Sequence, residues 1–399
     1  MNLKKQLSAF YLSSFCSSLR LSDAVWVALL AARGFSLWEI GLAEGIFHMV
    51  SLVCEVPSGM MADLLGRKRT LVCSRVMGML SGLTMAFAFR FPAVCLGMTL
   101  SALSCTMGSG TSEALVYDSL KQCGREAEYL QTDANVAQIS RLANGLGALS
   151  SILTHWLDST QFYLVSALPY ALSAAANACL TEPVVTETQA ARQALGFGAL
   201  GRRFSQLAKE SVRCLRATPR AVRIILAGAV ICLPAYLTTM FLQQRLVELG
   251  WPTAWLFVPS LLSGLAAAMG TELGRRLHPR SLRQLYLLCA PLCGAGCLLV
   301  GVASVWGSVA GAMLVQSILE IWMLHAMQQL NDAIPSDQRA TLISVDSMAY
   351  SILMIPASPL VGWLGDLTGH AGAGLAALGL AVAASAAAVC LNRHDRTAE

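Results

Sequence analysis

Charged side chains are scarce in this chain of 399 residues. Asp, Glu, Lys and Arg together make up 13% of it, whereas hydrophobic residues make up 55% and the mean hydropathy is +0.59. A soluble globule needs more polar surface than this composition supplies. The scarcity of charge therefore excludes an ordinary soluble protein and predicts that the lipid bilayer is the main solvent.

Several catalytic and binding signatures are also missing. The sequence has no G-x-x-x-x-G-K-[ST] loop, no HExxH or GxSxG motif, and no Cys-x-x-Cys pair or zinc-spaced Cys/His cluster among its 13 cysteines. We therefore expect neither an ATP-driven pump nor an enzyme, and neither a metal nor a cofactor. The net charge of +5 is better explained by the membrane topology of the chain than by binding to nucleic acid.

Apolar runs of membrane-crossing length follow one another along the chain. About 20 helical residues cross a hydrocarbon core of roughly 30 Å, and charges, Pro and Gly bound the runs. The predicted spans are 7–32, 37–62, 69–89, 92–120, 130–155, 160–181, 220–247, 253–275, 282–303, 306–332, 339–365 and 371–391. The sequence therefore predicts an all-α membrane protein with about 12 transmembrane helices.

Basic residues gather on one side of the predicted spans. Under the positive-inside rule, this bias places both termini in the cytoplasm of a multi-pass protein of the cell (inner) membrane. The basic residues expected on the cytoplasmic side include Lys4, Lys5, Arg67, Lys68, Arg69, Arg75, Lys121, Arg125, Arg339, Arg393 and Arg396.

The two halves of the chain echo each other. Gly66-Arg67-Lys68 after the second predicted span matches Gly274-Arg275-Arg276 after the eighth. We therefore expect two pseudo-symmetric bundles of six helices, at 1–181 and 220–399. The segment 182–219 between them predicts a cytoplasmic linker with an amphipathic helix, or alternatively a solvated basic linker.

A motif of small, acidic and basic residues follows the second span: Gly59-Met-Met-Ala-Asp63-Leu-Leu-Gly66-Arg67-Lys68-Arg69. It resembles the signature loop between the second and third helices of the major facilitator superfamily. The segments 55–59, 112–120 and 339–348 resemble bacterial drug-exporter-like members of it. The resemblance implies the major facilitator fold and a latch that holds one face closed. The expected latch residues are Gly59, Asp63, Gly66, Arg67, Lys68 and Asp118.

Four of the latch residues have a physical reason for their place. Gly59 allows close backbone approach, Asp63 can face a helix N-terminus, and Arg67 can reach a carboxylate, for which Asp118 is the candidate. The alternative is that the basic residues merely fix topology. The second copy of the loop departs from the pattern, because Thr271 stands where the aspartate would fall.

Ionisable residues inside predicted spans are candidate site residues, because burying a charge in hydrocarbon is costly. Carboxylates shielded from water take up protons more readily, so we expect proton coupling by Glu113, Asp23 or Glu320. Arg20, Arg141 and Asp346 are expected charge partners in the cavity. Asp23 either exchanges partners between the two arginines or is simply neutralised by Arg20 on the same helical face.

Aromatic residues in the same spans are candidates for the walls of a substrate cavity. They are Tyr117, Tyr236, Trp322 and Tyr350. The resulting hypothesis is proton-coupled efflux of a small amphipathic compound by alternating access. Two alternatives remain: a proton-coupled symporter that takes up a sugar, organic anion or other nutrient, and a receptor or assembly subunit that transports nothing. The expected partners are a small molecule, protons and the lipid bilayer, with the oligomeric state left open.

Overall fold

All regular structure in the described part of the chain is helical. The computed structural model describes residues 2–184, 219–277, 279, 281–301, 304–333 and 339–391. The α-helices are α1 (Leu3–Ser18), α2 (Trp26–Ala32), α3 (Leu37–Leu65), α4 (Arg67–Ala86), α5 (Phe91–Gly108), α6 (Thr111–Gln122), α7 (Tyr129–Ala148), α8 (Ser159–Ala178), α9 (Pro219–Glu248), α10 (Phe257–Arg276), α11 (Leu282–Gly301), α12 (Val305–Ala333), α13 (Arg339–Thr368) and α14 (Ala371–Leu391). Most of the predicted linker lies outside the described residues.

Eight helical stretches of the described residues are long and apolar enough to cross a bilayer. They correspond to the second, fourth and seventh to twelfth predicted spans. The all-α membrane fold is therefore confirmed, and the count of twelve spans stays a prediction.

Two predicted spans are interrupted near their middle. The first is broken between α1 and α2, and the fourth is broken between α5 and α6, where Gly110 has a φ of +67° that favours glycine. The end of α7 and the 3₁₀ turn that follows it support the first break. Ser150 Oγ of this turn donates to the Leu21 carbonyl, and a Cβ on Gly147 of α7 would lie 3.1 Å from the Arg20 carbonyl oxygen. Hydropathy had indicated uninterrupted apolar runs at both places.

The chain divides by its contacts into two units. The first unit comprises Met1–Ala24 and Ile46–Ala208, and the second comprises Val25–Gly45 and Lys209–Glu399. The segment Val25–Gly45 belongs to the first predicted bundle, yet it groups with the second half of the chain. The boundaries of the two predicted bundles stay a prediction.

Each unit repeats the same packing scheme. In the first unit α4 packs on α5 and α8, and in the second unit α11 packs on α12 and α14. Small residues allow these helices to approach closely: a Cβ on Gly78 would lie 2.5 Å from the Tyr170 ring, and one on Gly294 would lie 2.6 Å from the Gly379 carbonyl oxygen. These contacts agree with the internal echo seen in the sequence.

Three helices begin at a carboxylate supplied from elsewhere in the same unit. The Asp366 carboxylate accepts from the first two backbone N–H groups of α3, and the Glu182 carboxylate accepts from the first two of α4. The Glu248 carboxylate accepts from the first backbone N–H group of α14. The first N–H groups of a helix have no partner within it, and the helix dipole favours negative charge there. These carboxylates therefore fix where long helices begin.

Candidate functional site

A small, mostly apolar pocket lies in the second unit. We call it the Asp346 pocket. Its volume is about 230 Å³, and it is lined by Ile224, Gly228, Ala229, Cys232, Trp322, Met323, Ala326, Met327, Leu330, Asp346, Ser347 and Tyr350. The structure thus brings together three residues that were predicted for the cavity: Trp322, Asp346 and Tyr350.

Asp346 is the carboxylate of this pocket. Its side chain is partly buried, and among the described residues it has neither an ion pair nor a hydrogen bond. Trp322 forms a rigid wall, since it is 1% exposed and packs edge-on against Tyr286 with ring centroids 6.0 Å apart. The pocket therefore combines apolar and aromatic surface with one carboxyl group.

The other predicted groups of the second unit lie in different settings. The Tyr236 hydroxyl donates to Glu44 over 2.7 Å, and Glu44 is 1% exposed. Thr271 Oγ1 lies 3.4 Å from the Glu320 carboxylate. The structure thus assigns Tyr236 a buried carboxylate as its partner, a contact that the sequence did not indicate.

Two of the predicted latch residues, Arg67 and Asp118, meet in the first unit. Arg67 forms an ion pair with Asp118 and also donates to the Ala114 carbonyl, and Gly66 has a φ of +93° at the start of α4. The Arg67 and Lys68 backbone N–H groups donate to Glu182 over 2.8 and 2.7 Å. The latch geometry therefore includes a carboxylate, Glu182, that was not predicted for it.

The remaining motif residues differ from expectation. A Cβ on Gly59 would meet no described atom within 4 Å, so the expected close approach is not present there. The side chain of Asp63 lies outside the described residues. In the second copy of the loop, Glu272 pairs with Arg275 and Arg276 of its own helix.

The predicted polar groups of the first unit lie at or near the helix breaks. Arg20 and Asp23 pair over 3.6 Å in the break between α1 and α2, and both side chains are more than half exposed. Glu113 is exposed in the first turn of α6, directly after the second break, and Arg141 is exposed on α7. Tyr117 packs edge-on against Tyr129 rather than on any of these groups.

Arg75 is a partly buried cation that the sequence had placed with the cytoplasmic basic residues. It is the ninth residue of α4, so a helical rise of 1.5 Å puts it about 12 Å from the start of that helix. Its Nε is buried, and its charge lies in electrostatic range of Tyr170, Arg20 and Cys105. Counting helical rise from Arg67 would have placed Arg75 inside the span.

Comparisons of the sequence with known proteins all indicate the same family. The sequence profile described as Major Facilitator Superfamily matches residues 9–355. YxaM of Bacillus subtilis (strain 168), an uncharacterized MFS-type transporter, is 23% identical over 351 residues, which are 86% of this chain and 84% of YxaM. The inner membrane transport protein YajR of Escherichia coli (strain K12) is 24% identical over 370 residues, which are 89% of this chain and 77% of YajR.

Solved structures show the same fold. The nucleoside transporter NupG matches with a TM-score of 0.74 at 14% identity, over 98% of this chain and 97% of NupG. A POT family transporter in complex with a thioalcohol-conjugated peptide matches with a TM-score of 0.69 at 14% identity, over 99% of this chain and 96% of that protein. At such low identity these likenesses concern the fold alone.

Proposed function

This chain belongs to the Major Facilitator Superfamily, and on that premise we propose that it exports a small amphipathic compound in exchange for protons, by alternating access. Membership of the family makes it a multi-pass membrane transporter and not an enzyme, as its relatives by sequence also indicate. The proposal adds the cargo, the coupling to protons and the direction. The closer likeness to drug-exporter-like members is part of the proposal.

The Asp346 pocket is the observation that carries this proposal. An ionised carboxylate is unfavourable in apolar surroundings, and it relieves that cost by taking up a proton. Exchange requires that the proton and the compound bind the pocket alternately. Ionised Asp346 accepts a hydrogen bond from a polar group of the compound, whereas a proton on Asp346 weakens this acceptor and releases the compound. Proton binding and compound binding are thereby mutually exclusive at one place in the second unit.

Glu113, Asp23 and Glu320 remain further candidates for the proton. Glu113 is exposed beside a helix break, Asp23 has Arg20 as a neighbouring cation, and Glu320 has the Thr271 hydroxyl nearby. Among these carboxylates we place Asp346 first, because no described cation neutralises it and its surroundings are mostly apolar.

The contacts around Arg67 support a latch role for the cytoplasmic loop. Removing one partner of a buried charge pair leaves the other charge unsatisfied. The Arg67–Asp118 pair therefore stabilises the state in which it forms, and a variant that lacks it shifts the balance between the two access states.

Purified protein in liposomes tests the proposal. A pH-sensitive dye inside the liposomes reports proton movement when amphipathic compounds and nutrients are added under an imposed proton gradient. We expect proton movement opposite to an amphipathic compound. A one-unit pH gradient supplies about 1.4 kcal/mol per proton, so exchange with one proton sustains up to about tenfold accumulation.

Asp346→Asn is the decisive variant of this experiment. We expect it to abolish uphill accumulation while leaving binding measurable, because an amide offers similar shape but takes up no proton. Glu128→Gln is the matched control, since Glu128 forms an exposed pair with Arg125 and belongs neither to the lining of the Asp346 pocket nor to the Arg67–Asp118 pair. Proton movement in the same direction as a nutrient would instead establish uptake, and unimpaired accumulation by Asp346→Asn would remove Asp346 from the coupling scheme.

A further inference from the structure

Arg75 carries a positive charge for which the described residues of the first unit supply no neighbouring anion. Among the described residues its guanidinium makes neither an ion pair nor a hydrogen bond, and its buried Nε has no partner. Its electrostatic neighbours are Tyr170, Cys105 and Arg20. The first two are neutral at pH 7, and Arg20 is a second cation. The guanidinium lies against the backbone at the end of α5, where a Cβ on Gly108 would be 3.5 Å from its Nη2.

The charges around Arg75 do not cancel. Arg20 already has Asp23 as its partner over 3.6 Å. Two guanidinium groups and one carboxylate, at +1, +1 and −1, leave this cluster with a net charge of +1. The described residues named by these contacts therefore fall short by one negative charge.

An arginine cannot remove this imbalance in the way that a carboxylic acid can. Asp346 becomes neutral by binding a proton, whereas the guanidinium stays protonated at any physiological pH. An unpaired cation that is partly buried inside a membrane span is costly. Such a residue is expected to have an anionic partner during at least part of the protein's working cycle.

We infer that Arg75 binds an anionic group of the transported compound, a singly charged oxyanion such as a carboxylate. The planar fork of Arg75 suits two parallel hydrogen bonds to the two oxygens of a carboxylate. The breaks in the first and fourth spans lie at Arg20 and directly after Gly108, so both fall beside the cluster, as interrupted helices do at ion and substrate sites. The compound is thus an amphipathic organic anion, an inference that rests on the proposed function.

Two fluorescent probes with one ring system test the charge preference. Anthracene-9-carboxylate carries the anion, and 9-(methylaminomethyl)anthracene carries a cation on the same rings. Binding of each is measured by fluorescence on the purified full-length protein in detergent, without any gradient. Decanoate and phenyl phosphate serve as competing anions of different shape.

The variants separate a ligand-binding role from a packing role. We expect Arg75→Met to weaken binding of the anionic probe by about 10- to 100-fold, the range for a lost hydrogen bond to a charged group, and to leave the cationic probe unaffected. Arg75→Lys keeps the charge but loses the fork, so an intermediate loss is expected. Arg90→Met is the matched control, because Arg90 is exposed at the other end of α5.

The thermal unfolding of the same proteins without ligand gives an independent result. Removing an unpaired buried charge leaves the midpoint unchanged or raises it, whereas removing a cation that holds the end of α5 lowers it. The inference is overturned if Arg75→Met unfolds earlier than wild type, if its anion affinity matches wild type, or if wild type binds none of the three anions. Anion binding without proton-coupled flux would refute the proposed function and leave this site standing.

Discussion

Replacement of Asp366 by alanine tests how the start of α3 is held. The two Asp366 carboxylate oxygens accept from the N–H groups of Leu37 and Trp38 over 2.9 and 2.8 Å. Ser36 Oγ accepts from the Glu39 N–H over 3.2 Å, and the Glu39 carboxylate in turn accepts from the Ser36 N–H over 2.9 Å. Asp366→Ala therefore leaves the first two N–H groups of the helix without their partner, while the capping box of Ser36 and Glu39 remains.

The expected loss follows from these contacts. Removing a helix cap costs about 0.5–2 kcal/mol, and a lost anion at a helix N-terminus adds about 0.3–1 kcal/mol. A local loss of about 1–2 kcal/mol corresponds to about 5- to 30-fold faster exchange of amide hydrogens in peptides that cover residues 36–41. Asp366→Asn keeps one acceptor oxygen, so we expect about half of the free-energy loss.

Hydrogen exchange followed by mass spectrometry measures this effect, and a second cap provides the control. Asp158 accepts from the Gln161 N–H over 2.8 Å at the start of α8 in the first unit. We expect Asp158→Ala to speed exchange at the start of α8 and to leave residues 36–41 unchanged. Unchanged exchange at residues 36–41 in Asp366→Ala would refute the claim that this carboxylate fixes the start of α3.

Three further predictions concern stability, measured by unfolding in mixed micelles of dodecyl maltoside and SDS. Asp118→Asn leaves the Arg67 guanidinium opposite a neutral amide and is expected to lower the free energy of unfolding by about 1–3 kcal/mol; an unchanged value would contradict the pairing. Gly294→Val places a side chain against the Gly379 carbonyl and is expected to lower the free energy of unfolding by about 1–3 kcal/mol. An unchanged free energy of unfolding would contradict the close packing of α11 on α14. Trp322→Ala removes a buried wall of the Asp346 pocket and is expected to lower the free energy of unfolding by about 3–5 kcal/mol. A loss smaller than that caused by Gly294→Val would contradict the rigid packing of Trp322.

Composition and apolar run length predicted the class of fold, because the bilayer imposes a length and a polarity on every spanning helix. The breaks within the first and fourth spans were not predicted. Hydropathy averages over a window, and it does not register that Gly110 adopts a positive φ or that Ser150 supplies a hydrogen bond to Leu21. Interruption depends on partners that are distant in sequence.

Contacts of the candidate site could be predicted where a sequence motif supplies one of the interacting residues. The contact between Arg67 and Asp118 was expected from the loop, whereas Glu182 was placed only at the start of the linker. Arg75 was counted with the cytoplasmic basic residues, because its neighbours Arg67 and Lys68 are cytoplasmic by the same rule. Pairwise partners such as Tyr236 and Glu44 require the packing of separate helices, which periodicity does not encode.

The two units differ in the way that their buried charges can be satisfied, and this difference bears on transport. Asp346 becomes neutral when it binds a proton, so under the proposed function its charge state follows the proton gradient. Arg75 keeps its charge, so an anion is the partner that relieves it. A transporter that has both groups can link proton release at one unit to anion binding at the other, provided that Asp346→Asn abolishes accumulation and Arg75→Met weakens anion binding. If instead each variant lost accumulation and anion binding to the same degree, the two groups would serve a single structural role. The assignment of proton binding to Asp346 and anion binding to Arg75 would then be wrong.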